Sequence, residues 1–153
     1  MGYTVKYQGH WFGPKISLYE FKKNGEYVTD FDIPATYEHN GKKYKITKIG
    51  DYVFYSNSLL MSVTIPNTVT EIGDHAFYLN ESLINITIPD SVTKIGNYAF
   101  AYCSFKNMII PKTVTQIGEN AFYCVSHIEY YGSAKDPKSF LFFNGKWGAK
   151  AMN

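Results

Sequence analysis

Apolar residues recur along this chain as a triplet, a first position followed by others three and five residues later. The triplet reads Leu60/Val63/Ile65, Leu83/Ile86/Ile88 and Phe105/Met108/Ile110, and it extends back to Val28/Phe31/Ile33 and on to Val125/Ile128/Tyr130. Alternation such as Ile86-Thr87-Ile88 predicts a short strand with one buried face. Pro34, Pro66, Pro89 and Pro111 follow four of the triplets. Proline fixes φ and removes an amide donor, so each strand ends there. A second apolar pair comes next (Ile46/Ile49, Val69/Ile72, Val92/Ile95, Val114/Ile117), and then a phenylalanine at 54, 77, 100 and 122.

The dipeptide Ile-Gly at 49–50, 72–73, 95–96 and 117–118 sets the period, with steps of 23, 23 and 22 residues. Self-similarity on that scale marks a stacked array of coils. Each coil is expected to run strand, corner, second extended segment, glycine corner, and then a short helical turn carrying the Phe. The glycine would permit the sharp change of direction, and Asp51, Asp74, Asn97 or Glu119 just after it would cap the turn. A coil this small cannot bury its own apolar side, so neighbours must stack and the end coils need covers.

All 153 residues are read as one domain. Residues 1–27 form an N-terminal cap, hairpin-like from the alternation Tyr3-Val5-Tyr7 and Ile16-Leu18 and the turn dipeptide Asn24-Gly25. Residues 28–132 hold the repeats. Residues 133–153, with the apolar run Phe140–Phe143 and Trp147, form a C-terminal cap. Pro34 to Ile46 spans 12 positions where Pro66 to Val69 spans 3, and Asn40-Gly41 makes that insertion a second hairpin.

The pattern N-x-x-L-x-x-I-x-I-P-x-S-V-x-x-I-G-x-x-A-F, carried by residues 80–100 and echoed by their neighbours, resembles the BspA-type leucine-rich repeat, also found in treponemal leucine-rich proteins. The resemblance implies an α/β solenoid, a leucine-rich-repeat right-handed superhelix of about five short coils, mostly strand with short helical turns. It also implies a non-enzymatic module, secreted or on the cell surface, that mediates protein–protein interaction or adhesion to host or matrix proteins. Three coils depart from the pattern. The first has the insertion and Val53 where Ala is usual, the third is one residue short, and the last has Tyr130-Tyr131-Gly132 in place of Ile-Pro.

Composition narrows the chemistry. The hydrophobic fraction of 45% argues against disorder, and no apolar run approaches the roughly 20 residues of a membrane span, so no membrane insertion is expected. The net charge is only +2, and all fifteen basic residues are Lys. Without arginine's bidentate fork, a nucleic-acid partner is not expected. Met1–Trp11 shows neither the basic nor the apolar segment of a secretory signal, so the extracellular or cell-surface setting rests on the resemblance.

No catalytic constellation assembles. His10, His39, His75 and His127 stand in four unrelated contexts, so neither an enzyme nor a metal or other cofactor is expected. Cys103 takes the slot of Asn57 and Asn80, where a ladder of buried corner residues would satisfy turn amides. Cys124 is one residue out of register, and a bridge between adjacent coils is compatible with a spacing of about 4.8 Å. Asn80-Glu81-Ser82 and Asn85-Ile86-Thr87 match the glycosylation pattern. Thr47, Thr70, Thr93 and Thr115 form a column read as a stacking ladder.

Candidate binding residues are those that face outward between the buried strand positions. They form two columns, Asp30, Ser62, Asn85, Asn107 and His127, then Asp32, Thr64, Thr87, Ile109 and Glu129. Stacked coils would set both on one continuous parallel sheet, the surface with which solenoids bind. A monomer that binds protein is the first reading. A glycan surface built on Tyr52, Tyr55, Tyr78, Tyr98, Tyr102 and Tyr123 is the second, and a spacer in a longer array the third.

Overall fold

The computed structural model describes residues 3–5, 21–23, 26–27, 29–105, 107–126, 128–130, 132–134 and 146–147. The chain begins with an antiparallel sheet of β1 (Tyr3–Val5), β2 (Phe21–Lys23) and β3 (Glu26–Tyr27), in the order β1-β2-β3. The coils start with β4 (Asp30–Asp32). The insertion follows as a hairpin of β5 (Thr36–His39) and β6 (Lys42–Lys45), closed by Asn40 at φ 51° and Gly41 at φ 70°. Two successive left-handed residues make the tight turn that matches strand twist, which is why Asn-Gly stands there. Tyr37 and Tyr44 stack across the pair, ring centroids 5.2 Å apart.

From there two strands alternate per coil. They are β7 (Lys48–Ile49), β8 (Ser62–Thr64), β9 (Glu71–Ile72), β10 (Asn85–Thr87), β11 (Lys94–Ile95), β12 (Met108–Ile110), β13 (Gln116–Ile117) and β14 (Ile128–Tyr130), with β15 (Lys146–Trp147) parallel to β14. The second side of the solenoid is one parallel sheet, β13-β11-β9-β7. The threonine column stacks along it as expected. The amides of Thr70, Thr93 and Thr115 donate to the carbonyls of Thr47, Thr70 and Thr93 at 2.8, 2.9 and 2.9 Å.

The first side differs from expectation. It holds two three-stranded sheets, β10-β8-β4 and β12-β14-β15, and among the described residues no strand pairing joins β10 to β12. The division falls where the period slips. Asn80 and Leu83 are three residues apart, whereas Cys103 and Phe105 are two apart, so the corner entering β12 is one residue shorter.

Every triplet position that is described faces the core, with Leu60, Val63, Leu83, Phe105, Met108, Ile110, Val125, Ile128 and Tyr130 at most 2% exposed. Val28 lies outside the described residues, as do Tyr7, Ile16-Leu18, Asn24-Gly25 and Phe140–Phe143. Phe54, Phe77, Phe100 and Phe122 form a column of near-parallel rings with centroids 4.8, 5.1 and 5.5 Å apart. Each such pair contributes about 0.5–1.5 kcal/mol beyond its area burial. Tyr130, fully buried where Ile is usual, donates its hydroxyl to the Val114 carbonyl at 2.6 Å and accepts from the Ala134 amide at 2.7 Å. The polar end of the larger side chain is thereby satisfied inside the last coil.

Three expectations about the corners are corrected. The turn that carries each Phe is not helical, and no helix occurs among the described residues. Its alternate amides point to the next coil instead: Tyr52, Phe54 and Ser56 donate to the carbonyls of Asp74, Ala76 and Tyr78, and the pattern repeats one coil on. That geometry places residues 52 and 56, 75 and 79, 98 and 102, and 120 and 124 at positive φ. Such conformations cost on the order of 1–3 kcal/mol each and persist only where surrounding bonds over-determine them.

The acids after the glycines are not helix caps. The side-chain Oδ1 of Asp51 accepts from the Asp74 amide, that of Asp74 from the Asn97 amide, and that of Asn97 from the Glu119 amide, at 3.1, 2.8 and 2.8 Å. The glycines answer to this ladder rather than to a left-handed turn, since their φ values are not positive. A Cβ on Gly96 would meet Asp74 Oδ1 and lie 2.6 Å from the Asp74 backbone nitrogen.

At the buried corner, the asparagine serves carbonyls rather than amides. Asn80, fully buried, donates Nδ2 to the carbonyls of Phe54 and Phe77, both at 2.7 Å. Cys103 donates its thiol to the Phe77 carbonyl at 3.1 Å. Both cysteines are free, Cys103 buried and Cys124 exposed. Burial pushes the Cys103 thiol up to about 12, with the Asn80 backbone hydrogen bond opposing the shift.

Two measurements test this architecture. Ile95→Ala opens a cavity and is expected to lower stability by about 2–5 kcal/mol, and Gly96→Ala by about 1–3 kcal/mol through overpacking that removing the Asp74 carboxylate does not relieve, because the backbone itself is in the way. Urea melts indistinguishable from wild type would refute both assignments. Iodoacetamide at pH 8 is expected to modify one thiol of the native chain, Cys124, and two thiols in denaturant. Cys103 holds its proton more tightly folded than unfolded, so its contribution to stability is present below its unfolded pKa and is lost as pH rises toward 12.

Candidate functional site

The described members of the outward columns sit where alternation places them. Asp30, Ser62 and Asn85 are paired in register across β4, β8 and β10, and so are Asp32, Thr64 and Thr87. Ser62 is half-buried, and the other five are exposed. Across the division, Asn107 is exposed just before β12, and Ile109 pairs with Glu129 of β14. His127 lies outside the described residues. The expected single array is therefore two adjoining patches.

Chemically the strand face is acidic at Asp30, Asp32 and Glu129 and uncharged between them. Ile109 is its apolar exception, 67% exposed where the preceding coils carry threonine. Met61 and Ile84, at the entries to β8 and β10, add exposed apolar surface, and the Ile84 amide donates to the Met61 carbonyl at 3.0 Å. Asn85 of the second glycosylation pattern is exposed here, whereas Asn80 of the first is sealed in the core. The ion pair Lys48–Glu71 at 3.3 Å lies on the other sheet and is too exposed to contribute much.

The turn side carries a second feature that residue spacing does not reveal. Tyr52, His75 and Tyr98 stack in one row with centroids 4.7 and 5.1 Å apart, and Asn120 continues it by donating Nδ2 to the Tyr98 hydroxyl at 2.7 Å. Beside it runs a row of Tyr55, Tyr78, Tyr102 and Tyr123. The repeat places Ala101 where Tyr78 and Tyr123 stand in neighbouring coils, and Tyr102 packs its ring against both, at interplanar angles of 77° and 65°. His75 is thus one ring in an aromatic stack, its Nδ1 buried without a hydrogen-bond partner. Tyr102 titrates above an ordinary phenol, through desolvation first and the neighbouring Tyr123 second.

Other chemistry is sparse. Among the described residues no group of three His, Cys, Asp or Glu side chains is arranged to hold a metal ion. No helix among them is long and apolar enough to cross a membrane.

The fold and its repeat have clear relatives. A leucine-rich repeat protein from Bacteroides capillosus ATCC 29799 has a TM-score of 0.62 and 26% identity, over 85% of this chain and 94% of that one. Another, from Bacteroides ovatus ATCC 8483, has a TM-score of 0.55 and 27% identity over 85% of this chain, which spans 39% of its length. The T. pallidum leucine-rich repeat protein shares the fold at 19% identity and a TM-score of 0.53, over 83% of this chain and 67% of its own. No curated protein sequence matches. The model of the BspA type leucine rich repeat region, in six copies, matches residues 47–144, and the chain belongs to that family.

Proposed function

We propose that this chain is a non-enzymatic module, secreted or held at a cell surface, that binds host or matrix proteins through its strand face. Repeat modules of this type commonly mediate protein interaction, and family resemblance supports the surface setting. The observation that carries the reading is Ile109, a branched apolar side chain held in solvent on a strand whose backbone is fixed in a parallel ladder. An apolar anchor ringed by small polar groups has the composition of an interface centre, where few residues carry most of the binding energy. Because the ladder is ordered before the partner arrives, little conformational entropy is lost on association. Glu129, paired with Ile109 across the ladder, Asn107 on the same segment, and Asn85 and Thr87 of the adjoining patch are candidates for partner hydrogen bonds.

The glycan alternative is less well supported by geometry. Sugars stack on open ring faces, and the mutual stacking of Tyr52, His75 and Tyr98, and of Tyr55 with Tyr78, covers much of that surface.

Surface plasmon resonance against a panel of matrix proteins tests the proposal. Saturable binding is expected, weakened about ten-fold or more by Ile109→Asp and by Thr87→Lys, with urea melts unchanged, and untouched by Lys112→Ala. Absence of binding across the panel, or binding indifferent to both strand-face changes, would overturn it.

A further inference from the structure

The hairpin of β5 and β6 is an addition to the repeat, since Pro66 reaches Val69, and Pro89 reaches Val92, in 3 positions where Pro34 takes 12 to reach Ile46. The later coils stack without such an element, and insertions on a solenoid often carry its binding chemistry. We infer that this hairpin is a second interaction surface, whose occupant is a linear sulfated polysaccharide held by Lys42, Lys43 and Lys45. The choice of a matrix polysaccharide among polyanions rests in part on the secreted or cell-surface setting proposed above.

Charge carries the argument. The contiguous stretch Lys42-Lys43-Tyr44-Lys45-Ile46-Thr47-Lys48 holds four of the chain's fifteen lysines and no acid. Lysine-rich runs of this length mark surfaces for polyanions such as heparin or nucleic acid. Lys48 is engaged by Glu71 at 3.3 Å, whereas among the described residues no ion pair engages Lys42, Lys43 or Lys45. All of β6 is exposed, and the one acid on the hairpin, Glu38, stands opposite Lys43. Without these three, twelve lysines face thirteen acids, so the positive sign of the net charge belongs to this element.

The ribbon's shape narrows the occupant. Alternation along β6 sends Lys43 and Lys45 to one face, about 6.8 Å apart, and Lys42 to the other beside the Asn40-Gly41 turn. Cations on both faces of a ribbon do not meet a flat surface together, but a flexible chain that crosses near the tip reaches all three. Tyr37 packs on the core and stacks with Tyr44 near the base of the ribbon, so the backbone beneath the lysines is ordered before a ligand arrives.

The same features disfavour other polyanions. Asn40 and Gly41 bring no apolar side chain to the tip that could enter a bilayer. Lysine is a point charge without the arginine fork that matches phosphate and base edges, whereas sulfates along a flexible chain ask only for positive charge close by.

Biolayer interferometry of the full chain on immobilised heparin tests this. Saturable binding is expected, weakening with added NaCl because polyanion contacts release condensed counterions. Lys43→Gln and Lys45→Gln are each expected to weaken it about five-fold, and the triple change that adds Lys42→Gln about a hundred-fold, with urea melts unchanged. Lys94→Gln, an exposed lysine on the other sheet, leaves it as it was. Ile109→Ser on the strand face also leaves it unchanged, so binding to purified matrix proteins and binding to heparin succeed or fail separately. No saturable binding, equal binding to heparin stripped of its sulfates, indifference to the triple change, or tighter binding to double-stranded DNA or phosphatidylserine vesicles would overturn the inference.

Discussion

Everything in this solenoid depends on each coil closing hydrogen bonds with the next. The Thr47-Thr70-Thr93-Thr115 backbone ladder, the turn amides aimed at carbonyls one coil away, and the Asp51-Asp74-Asn97 acceptors all tie residues 21 to 23 positions apart. Buried amides and carbonyls left unpaired are expensive, so register between coils is held on several sides at once. The strained backbone of the turns is tolerated because it aims those amides outward along the axis. Glycine at 73, 96 and 118 lets the acceptor ladder approach closely enough to form.

Much of this was legible in the residues. Core positions announced themselves because an apolar triplet among polar neighbours has one inexpensive solution, a strand with a dry face. Asn40-Gly41 predicted its hairpin because two left-handed residues favour that pair. The turns misled because an acid followed by a Phe-bearing segment reads alike whether its amides close a helical turn or bond the next coil. Gly96 misled for a related reason, since a glycine demanded by a neighbour's close approach looks the same as one demanded by φ. The division between β10 and β12 was present as the missing residue before Phe105, but its effect depends on how strands align in space.

The candidate surfaces were legible to different depths. Period-two alternation was enough to list the outward strand residues, and those described are exposed or half-buried. Alternation says nothing of which exposed residue is energetically distinctive, and Ile109 became so only once its exposure was known. The tyrosines were visible as a composition, yet their arrangement was not. Tyr102 belongs by register to the column of Leu79, yet its ring meets those of Tyr78 and Tyr123, a step that only side-chain packing determines.

The acceptor ladder also bears on how such a protein lengthens. Each coil carries at one corner both a side-chain acceptor for its successor and a backbone donor for its predecessor, so a copied unit of 23 residues arrives with both halves of the joint. Duplication inside the array therefore adds a coil without orphaning a polar group at either seam. Gene-level copying can change the reach of the molecule while the chemistry of each junction stays as it was.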